Sequence, residues 1–215
     1  MTNLAEKLKL GTQQSHSNAE HTGFMKNFLS GGVSQDSFCQ LLSNLYFVYR
    51  QLESELQCHQ THPIISKIYC PELNRKANLE KDLTFYYGDH WQNNIAPSPA
   101  AQAYVSRLRE LSATEPVLLI AHAYTRYMGD LSGGQSLKKI AQSIFHLEEH
   151  QGICFYEFDQ IPDVNEFKTQ YRQKLNELIL NEELQDQIVV EANNAFTLNI
   201  AMLRDLGQTQ SPVTV

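Results

Sequence analysis

The 215-residue chain is expected to be all-α, a single domain of packed helices, and three observations lead there. Apolar residues recur at helical spacing along almost the whole chain. Strand-type alternation is nearly absent, and only "ICFYEF", Ile153 to Phe158, reads as extended. Prolines, glycines and short polar residues fall where helices should start and stop, with no repeat, low-complexity segment or interdomain linker between them.

The first segment, Asn3 to about His21, places Leu4, Leu8, Gly11, Thr12, Ser15 and Ala19 on one stripe. His16 lies on its flank, and Lys9, Gln13 and Glu20 lie on the polar side. "SGG" at Ser30 to Gly32 breaks the pattern, and Ser34 to Cys58 forms a long second helix with Phe38, Leu41, Leu42, Leu45, Val48, Tyr49 and Leu52 at core spacing. Pro71 opens a third helix running to about Tyr87, and "YGDHWQNNIAPSP" has loop chemistry. Pro99 starts a helix to Leu111. Thr114 is the expected N-cap, with Pro116 in the first turn, of a helix that continues through three glycines to about Phe145. "DVNE" at Asp163 to Glu166 has the pattern of a capping box for a helix to about Leu180, and a last helix covers roughly Glu183 to Leu206.

Composition narrows the functional class. Hydrophobic residues at 42% and charged residues at 19% suit a folded globule. A net charge of −7 argues against a general nucleic-acid binder. The first ten residues mix Asn3, Glu6, Lys7 and Lys9 with leucines, so no signal-peptide core is expected. No apolar run approaches the roughly 20 residues that span a bilayer, and the polar end "LGQTQSPVTV" has no anchor character. A soluble cytoplasmic protein is the expectation. Cys39, Cys58, Cys70 and Cys154 match no zinc or C-x-x-C pattern and read as reduced thiols.

"YTRYMGDLSGGQSLKKIAQ", Tyr124 to Gln142, poses the functional question. Gly129, Gly133 and Gly134 sit inside a helical pattern, each costing about 1 kcal/mol relative to alanine. Gly129 and Gly133 are four apart and so are expected to share a face. Close packing against a neighbouring helix, a break at Gly133–Gly134, and close approach of a flat ligand all explain them. Arg126 and Asp130, also four apart, can pair along the helix, either as an ordinary surface ion pair or as a polar network that orders water and passes protons.

"AHAYTRYMGDLSGGQSLKKIAQ", Ala121 to Gln142, resembles the distal-helix motif of heme oxygenases. The resemblance extends to "HSNAEHTGFMKNF", "LYFVYRQLESEL", "PELNRKANLEKDLTFYYG", "FKTQYRQKLNEL" and "EANNAFTLNI". It spans roughly Leu4 to Leu206, which implies a heme oxygenase domain over residues 1–206 and a flexible polar tail over 207–215.

The resemblance implies a multi-helix fold that holds heme b, both substrate and cofactor, between a proximal and a distal helix. It implies cleavage at the α-meso carbon to biliverdin IXα, CO and Fe2+, with O2 and an external electron donor. His16 falls on the family's proximal iron-ligand position, and Glu20, one turn on, on a place from which it can orient the imidazole. Gly129 and Gly133 fall on the distal glycines, and Asp130 on the distal aspartate that works through ordered water, with Arg126 beside it. Lys9, Lys168 and Arg172 fall on positions that hold the heme propionates, and Tyr124 serves as a hydroxyl donor. Met25, Phe28, Phe196 and Asn199 are expected to line the pocket.

Without a membrane anchor, the chain is similar to the soluble bacterial or plastid-type enzymes, which implies reduced ferredoxin as donor. Lys138, Lys139, Lys168, Arg172 and Lys174 are the expected basic rim for it. A monomer without membrane or nucleic-acid partners is expected. A non-catalytic heme carrier or sensor on the same fold, and a heme-free helical relative, are the alternatives.

Overall fold

A computed structural model describes residues 3–208 of the chain, and these form an all-α fold with no strand among them. The chain opens with α1 (Leu4–Gly11), α2 (Gln13–Glu20) and α3 (Gly23–Leu29). The long α4 (Gln35–Cys58) follows, then the single turn α5 (Ile65–Ile68), α6 (Lys76–Tyr87) and α7 (Pro99–Thr114). The second half holds α8 (Leu119–Asp130), α9 (Gly133–Phe145), α10 (Val164–Asn176) and α11 (Glu182–Gln208). α4 is the central post, packed against α6, α7, α8 and α11, while α11 runs past α1, α2, α3, α7 and α8.

Local chemistry sets most helix starts. Side chains of Asn3, Thr22, Ser34, Ser98 and Asp163 each accept a backbone N–H from the first turn they precede. α4 buries the expected stripe of Phe38, Leu41, Leu42, Leu45, Val48, Tyr49 and Leu52. Gly88, at φ 76°, ends α6 in the left-handed region that favours glycine. All four cysteines carry free thiols.

Several expected boundaries move, each for a tertiary reason. The first expected helix is two helices that break at Thr12, whose hydroxyl donates to the Leu8 carbonyl. At the break Gly11 lies so close to α11 that a Cβ would come within 2.5 Å of Val189 Cγ1. Pro71 opens only a short 3-10 turn, Pro71–Leu73, and α6 begins afresh after Glu53 of α4 accepts the Arg75 and Lys76 backbone N–H groups. Thr114 is not an N-cap: α7 runs on through it, and its hydroxyl donates back to the Glu110 carbonyl. α10 stops at Asn176, four residues short of the expected end. Gly207 and Gln208 continue α11 beyond the expected boundary at Leu206, and residues 209–215 of the expected tail lie outside the described residues.

The expected extended segment over 153–158 is a 3-10 turn at Cys154–Tyr156. The fully buried Asp82 carboxylate forces it, accepting the Cys154 and Phe155 N–H groups at 2.7 Å each. Arg75 reinforces it by donating to the carbonyls of Leu73, Phe155, Glu157 and Glu72 and lying 3.8 Å from the Phe158 ring centroid.

A buried cluster joins α7, α8 and α11. Arg107 donates twice to Glu191, at 3.1 and 2.7 Å, and His122, wholly buried, lies with Nε2 at 2.9 Å from the same carboxylate and Nδ1 at 3.2 Å from the Tyr104 hydroxyl. Burial raises the Glu191 carboxyl, but His122 and Arg107 outweigh it and hold it at about 2, below the ordinary 4.5. The stability this group contributes is therefore present above about pH 4.5 and is lost as pH falls towards about 2. Glu191→Gln should flatten the acid limb of the stability-against-pH curve over that window, measured by urea unfolding; an unchanged limb would show that the carboxylate is not responsible. Gly11→Ala should destabilise the fold by about 1–3 kcal/mol through overpacking. Adding Val189→Ala should recover most of that loss in thermal unfolding.

Candidate functional site

The three glycines of the motif behave differently. The expected single helix is interrupted at Leu131 and Ser132, so Gly129 is the second-last residue of α8 and Gly133 the first of α9, and the two do not share a face of one continuous helix. The break therefore precedes Gly133 instead of falling at Gly133–Gly134. A Cβ on Gly134 would lie 3.5 Å from the Tyr156 ring, an ordinary packing distance. A Cβ on Gly129 or Gly133 would meet nothing within 4 Å, so close helix packing does not explain this pair. Gly129 is exposed although Tyr127, Met128 and Asp130 around it are buried. The bare backbone faces open space.

The wall is held from behind. Gln135 Nε2 donates to the Asp130 carbonyl at 3.2 Å and to the Tyr156 carbonyl at 2.9 Å, tying the helix break to the turn that Asp82 and Arg75 fix. Asp130 is only 7% exposed, and Tyr49 of α4 donates its hydroxyl to Asp130 Oδ2. Arg126 donates from Nε to the Tyr49 oxygen at 3.0 Å and from Nη1 to Asn199 Oδ1 at 2.7 Å, while its Nη2 lies 3.9 Å from Asp130 Oδ1. The Arg126–Asp130 pair is thus buried and indirect, joined chiefly through Tyr49, and is no surface ion pair.

Burial raises the Asp130 carboxyl above the usual carboxylate range, against the opposing pull of Arg126, Tyr49 and Arg75. Burial pushes the Tyr49 phenol far up as well, so it remains a proton donor in the hydrogen bond. A carboxyl raised this way, with one oxygen engaged by a phenol, holds a proton more readily than an exposed carboxylate does.

His16 stands on α2, against α11. α2 buries only Ala19, and the His16 side chain is 56% exposed. Its ring meets Phe196 of α11 edge-on, with centroids 5.9 Å apart. Glu20 Oε2 lies 3.8 Å from His16 Nδ1, within ion-pair range but beyond a hydrogen bond. Phe196 and Asn199 are three residues apart on α11, so one short stretch of that helix meets the imidazole on one side and Arg126 on the other.

The expected cations fall together only in part. Arg172 on α10 lies near enough to Tyr124 on α8 for its charge to offset some of the upward shift that burial imposes on the phenol. Ala5 of α1 donates its backbone N–H to Asn176 of α10; Lys9 lies one turn beyond Ala5, and Arg172 one turn before Asn176. Among the described residues, Lys9, Lys168 and Arg172 have no carboxylate partner. Of the five residues expected to form a basic rim, Lys138 has a carboxylate partner, Glu157 at 3.0 Å, and Lys174, which is exposed, has its Nζ 3.5 Å from Cys70 Sγ. Met25 is half-buried against the core. Phe28 is wholly buried between Phe24 and Phe38, and is a core residue instead of part of an open lining. A separate groove of about 540 Å³, lined by Gln40, Asn44, Asn94 and Asp205 among others, shares no residue with this site.

Sequence reasoning placed Tyr49 at core spacing without a role in the site, and did not single out Gln135 or Arg75. The available signal was polarity in an apolar phase. Tyr49 stands where phenylalanine would pack equally well, and a buried phenol needs a partner.

A helical fold with an exposed histidine held against α11, and bare glycine backbone beside a buried aspartate that α11 also reaches through Arg126, defines the class. The family model described as heme oxygenase matches residues 2–205, and the chain belongs to the heme oxygenase family. Heme oxygenase 1 of Nostoc sp. is 53% identical over 95% of this chain and 86% of its own length. Human heme oxygenase 1 is 45% identical over 94% of this chain and 71% of its own. The crystal structure of heme oxygenase-1 from the cyanobacterium Synechocystis sp. in complex with heme superposes with a TM-score of 0.94 at 51% identity, covering 96% of this chain and 93% of that one.

Because a Cβ at position 129 meets no atom, Gly129→Ala should leave the ligand-free protein as stable as wild type, or more stable by up to about 1 kcal/mol from helix propensity. The same variant should bind hemin more weakly, measured by Soret titration. A large loss of ligand-free stability would show that the glycine serves packing.

Proposed function

We propose that this protein binds heme between α2 and the α8–α9 break and cleaves it at the α-meso carbon to biliverdin IXα, CO and Fe2+, consuming O2 and electrons from an external donor. The observation that carries the reading is the pair Gly129 and Gly133, whose added Cβ atoms would meet nothing within 4 Å although Tyr127, Met128, Asp130 and Leu131 beside them are buried. A flat macrocycle with one polar edge suits a bare helical wall, an exposed imidazole opposite, and nearby cations with no carboxylate partner.

In this reading His16 is the iron ligand through Nε2, because Nδ1 is turned towards Glu20. The edge of Phe196 limits the swing of the ring. Heme, when bound, supplies the iron that activates O2 and the meso carbon that is oxidised. Gly129 and Gly133 keep side chains out of the space above the ring, so that oxygen meets backbone and water. Asp130, held through Tyr49, Arg126 and Asn199, passes protons at Oδ1, the oxygen that Tyr49 leaves free. Lys9, Lys168, Arg172 and Tyr124 hold the two propionates and so select which meso carbon is presented. Reduced ferredoxin is the proposed donor, docking on the rim residues without a carboxylate partner among the described residues, Lys139, Lys168, Arg172 and Lys174. A monomer in the cytoplasm is part of this reading; among the described residues no helix is long and apolar enough to cross a membrane. The buried proton-holding network favours an enzyme over a carrier, which has no use for one.

The test is turnover of the hemin-loaded protein with ascorbate or reduced ferredoxin, followed by identification of the pigment and its isomer. Asp130→Ala should bind hemin with near-normal affinity and give at least tenfold less biliverdin. His16→Ala should lose the native axial ligation and regain turnover with added imidazole. A lasting Soret band with no biliverdin in the wild type would overturn the assignment in favour of a carrier.

A further inference from the structure

We propose that Asn193 is a positioning residue for the His16 imidazole, and that α11 uses it to set the proximal wall as it uses Asn199 to set the distal one. The inference rests on the assignment of His16 as the iron ligand made above.

The α1–α2 break leaves α2 as a two-turn helix that buries only Ala19, too short and too polar to hold its own orientation. Something outside it must fix the azimuth at which His16 projects. Asn193 is the polar side chain that reaches it from α11. Ser15, the residue preceding His16, donates its hydroxyl to Asn193 Oδ1 at 2.6 Å. Asn193 Nδ2 donates to the Gly11 carbonyl at the helix break, at 3.0 Å, and to the Val189 carbonyl of its own helix, at 2.9 Å. The carboxamide therefore uses its acceptor and both of its donors at once, and an amide so committed has a single orientation.

Close packing adds a second constraint. Gly11 lies against Val189, one turn before Asn193 on α11, where a Cβ would come within 2.5 Å of Val189 Cγ1. Phe196, one turn after Asn193, meets the His16 ring. Val189, Asn193 and Phe196 fall at helical spacing along one face, and together they touch the break, the residue before the histidine, and the histidine itself. Asn199, three residues further, takes the Arg126 guanidinium on the opposite wall. One rigid helix thus carries the references for both sides of the site.

A polar link of this kind should act on ligand geometry more than on global stability, because two of its three partners, Gly11 and Ser15, flank the α1–α2 break outside the buried core. Asn193→Ala and Ser15→Ala are tested in the hemin complex of the full chain by resonance Raman of the ferrous form, by Soret titration and by thermal unfolding. Asn193→Ala should shift and broaden the iron–histidine stretching band and weaken hemin binding about tenfold, as expected for loss of several hydrogen bonds. Ser15→Ala, the milder change, should shift the same band less, and the double variant should be no worse than Asn193→Ala alone because both act through one path. A band and affinity identical to wild type in both variants, whatever happens to the melting temperature, would overturn the positioning role. His16→Ala is the control for the underlying assignment. If its adduct keeps the native band, the ligand is another residue and the inference falls with that assignment; if the band vanishes while the Asn193 variants leave it untouched, the positioning role alone fails.

Discussion

The structure depends on backing a stretch of helix that has nothing in front of it. Backbone facing open space at Gly129 and Gly133 contributes no packing, and two glycines at a helix break weaken the local ladder. The compensation is on the far side. Gln135 pins the break to the Tyr156 carbonyl, Gly134 packs on the Tyr156 ring, and Asp82 with Arg75 holds the turn that carries Tyr156. Buried charge is used here as scaffolding: Arg75 is satisfied mainly by carbonyls, and Asp82 by backbone N–H groups of the turn. A wall built this way is rigid behind and bare in front.

The polar groups of the site then follow from position instead of from local sequence. Arg126 reaches Tyr49 on α4 and Asn199 on α11, so the orientation of the Asp130 carboxyl is decided by three helices together. Such an arrangement fixes a proton-holding group more tightly than one helix face can, because each partner is itself held in a packed element. The cluster of Arg107, His122 and Glu191 does the same between α7, α8 and α11 one to two turns away, keeping the helices that carry the site in register.

The fold class was legible because helical phase survives in the apolar pattern; the α4 stripe is read directly from Phe38 to Leu52. The breaks were not legible. Thr12, Arg75 and Leu131–Ser132 interrupt patterns that remain helical in phase, and what interrupts them is a residue distant in sequence: Val189 and Asn193 at the first, Glu53 at the second, Tyr156 with Gln135 at the third. Thr114 misled for a related reason, since its hydroxyl satisfies a carbonyl behind it as readily as it caps a turn ahead. For the site, the motif around Gly129 and Asp130 stood out as costly residues in a helix, whereas His16 is one of eight histidines and only the family resemblance singled it out. Tyr49 and Asn193 look like ordinary helix residues until their partners, some eighty and 178 positions away, are in view.

The half-open character of the site has a consequence for the life of the protein in a cell. Phe196 and Met25 are only partly buried and no side chain lies over the glycine pair, a surface that exists only once the chain is folded, so a ligand that packs on it binds the folded form and not the unfolded one. By mass action, supply of that molecule raises resistance to unfolding, by about 2.7 kcal/mol when it stands at a hundred times its dissociation constant. Abundance of the polypeptide would then rise and fall with its own substrate without any change in gene expression, degradation acting faster on chains left empty.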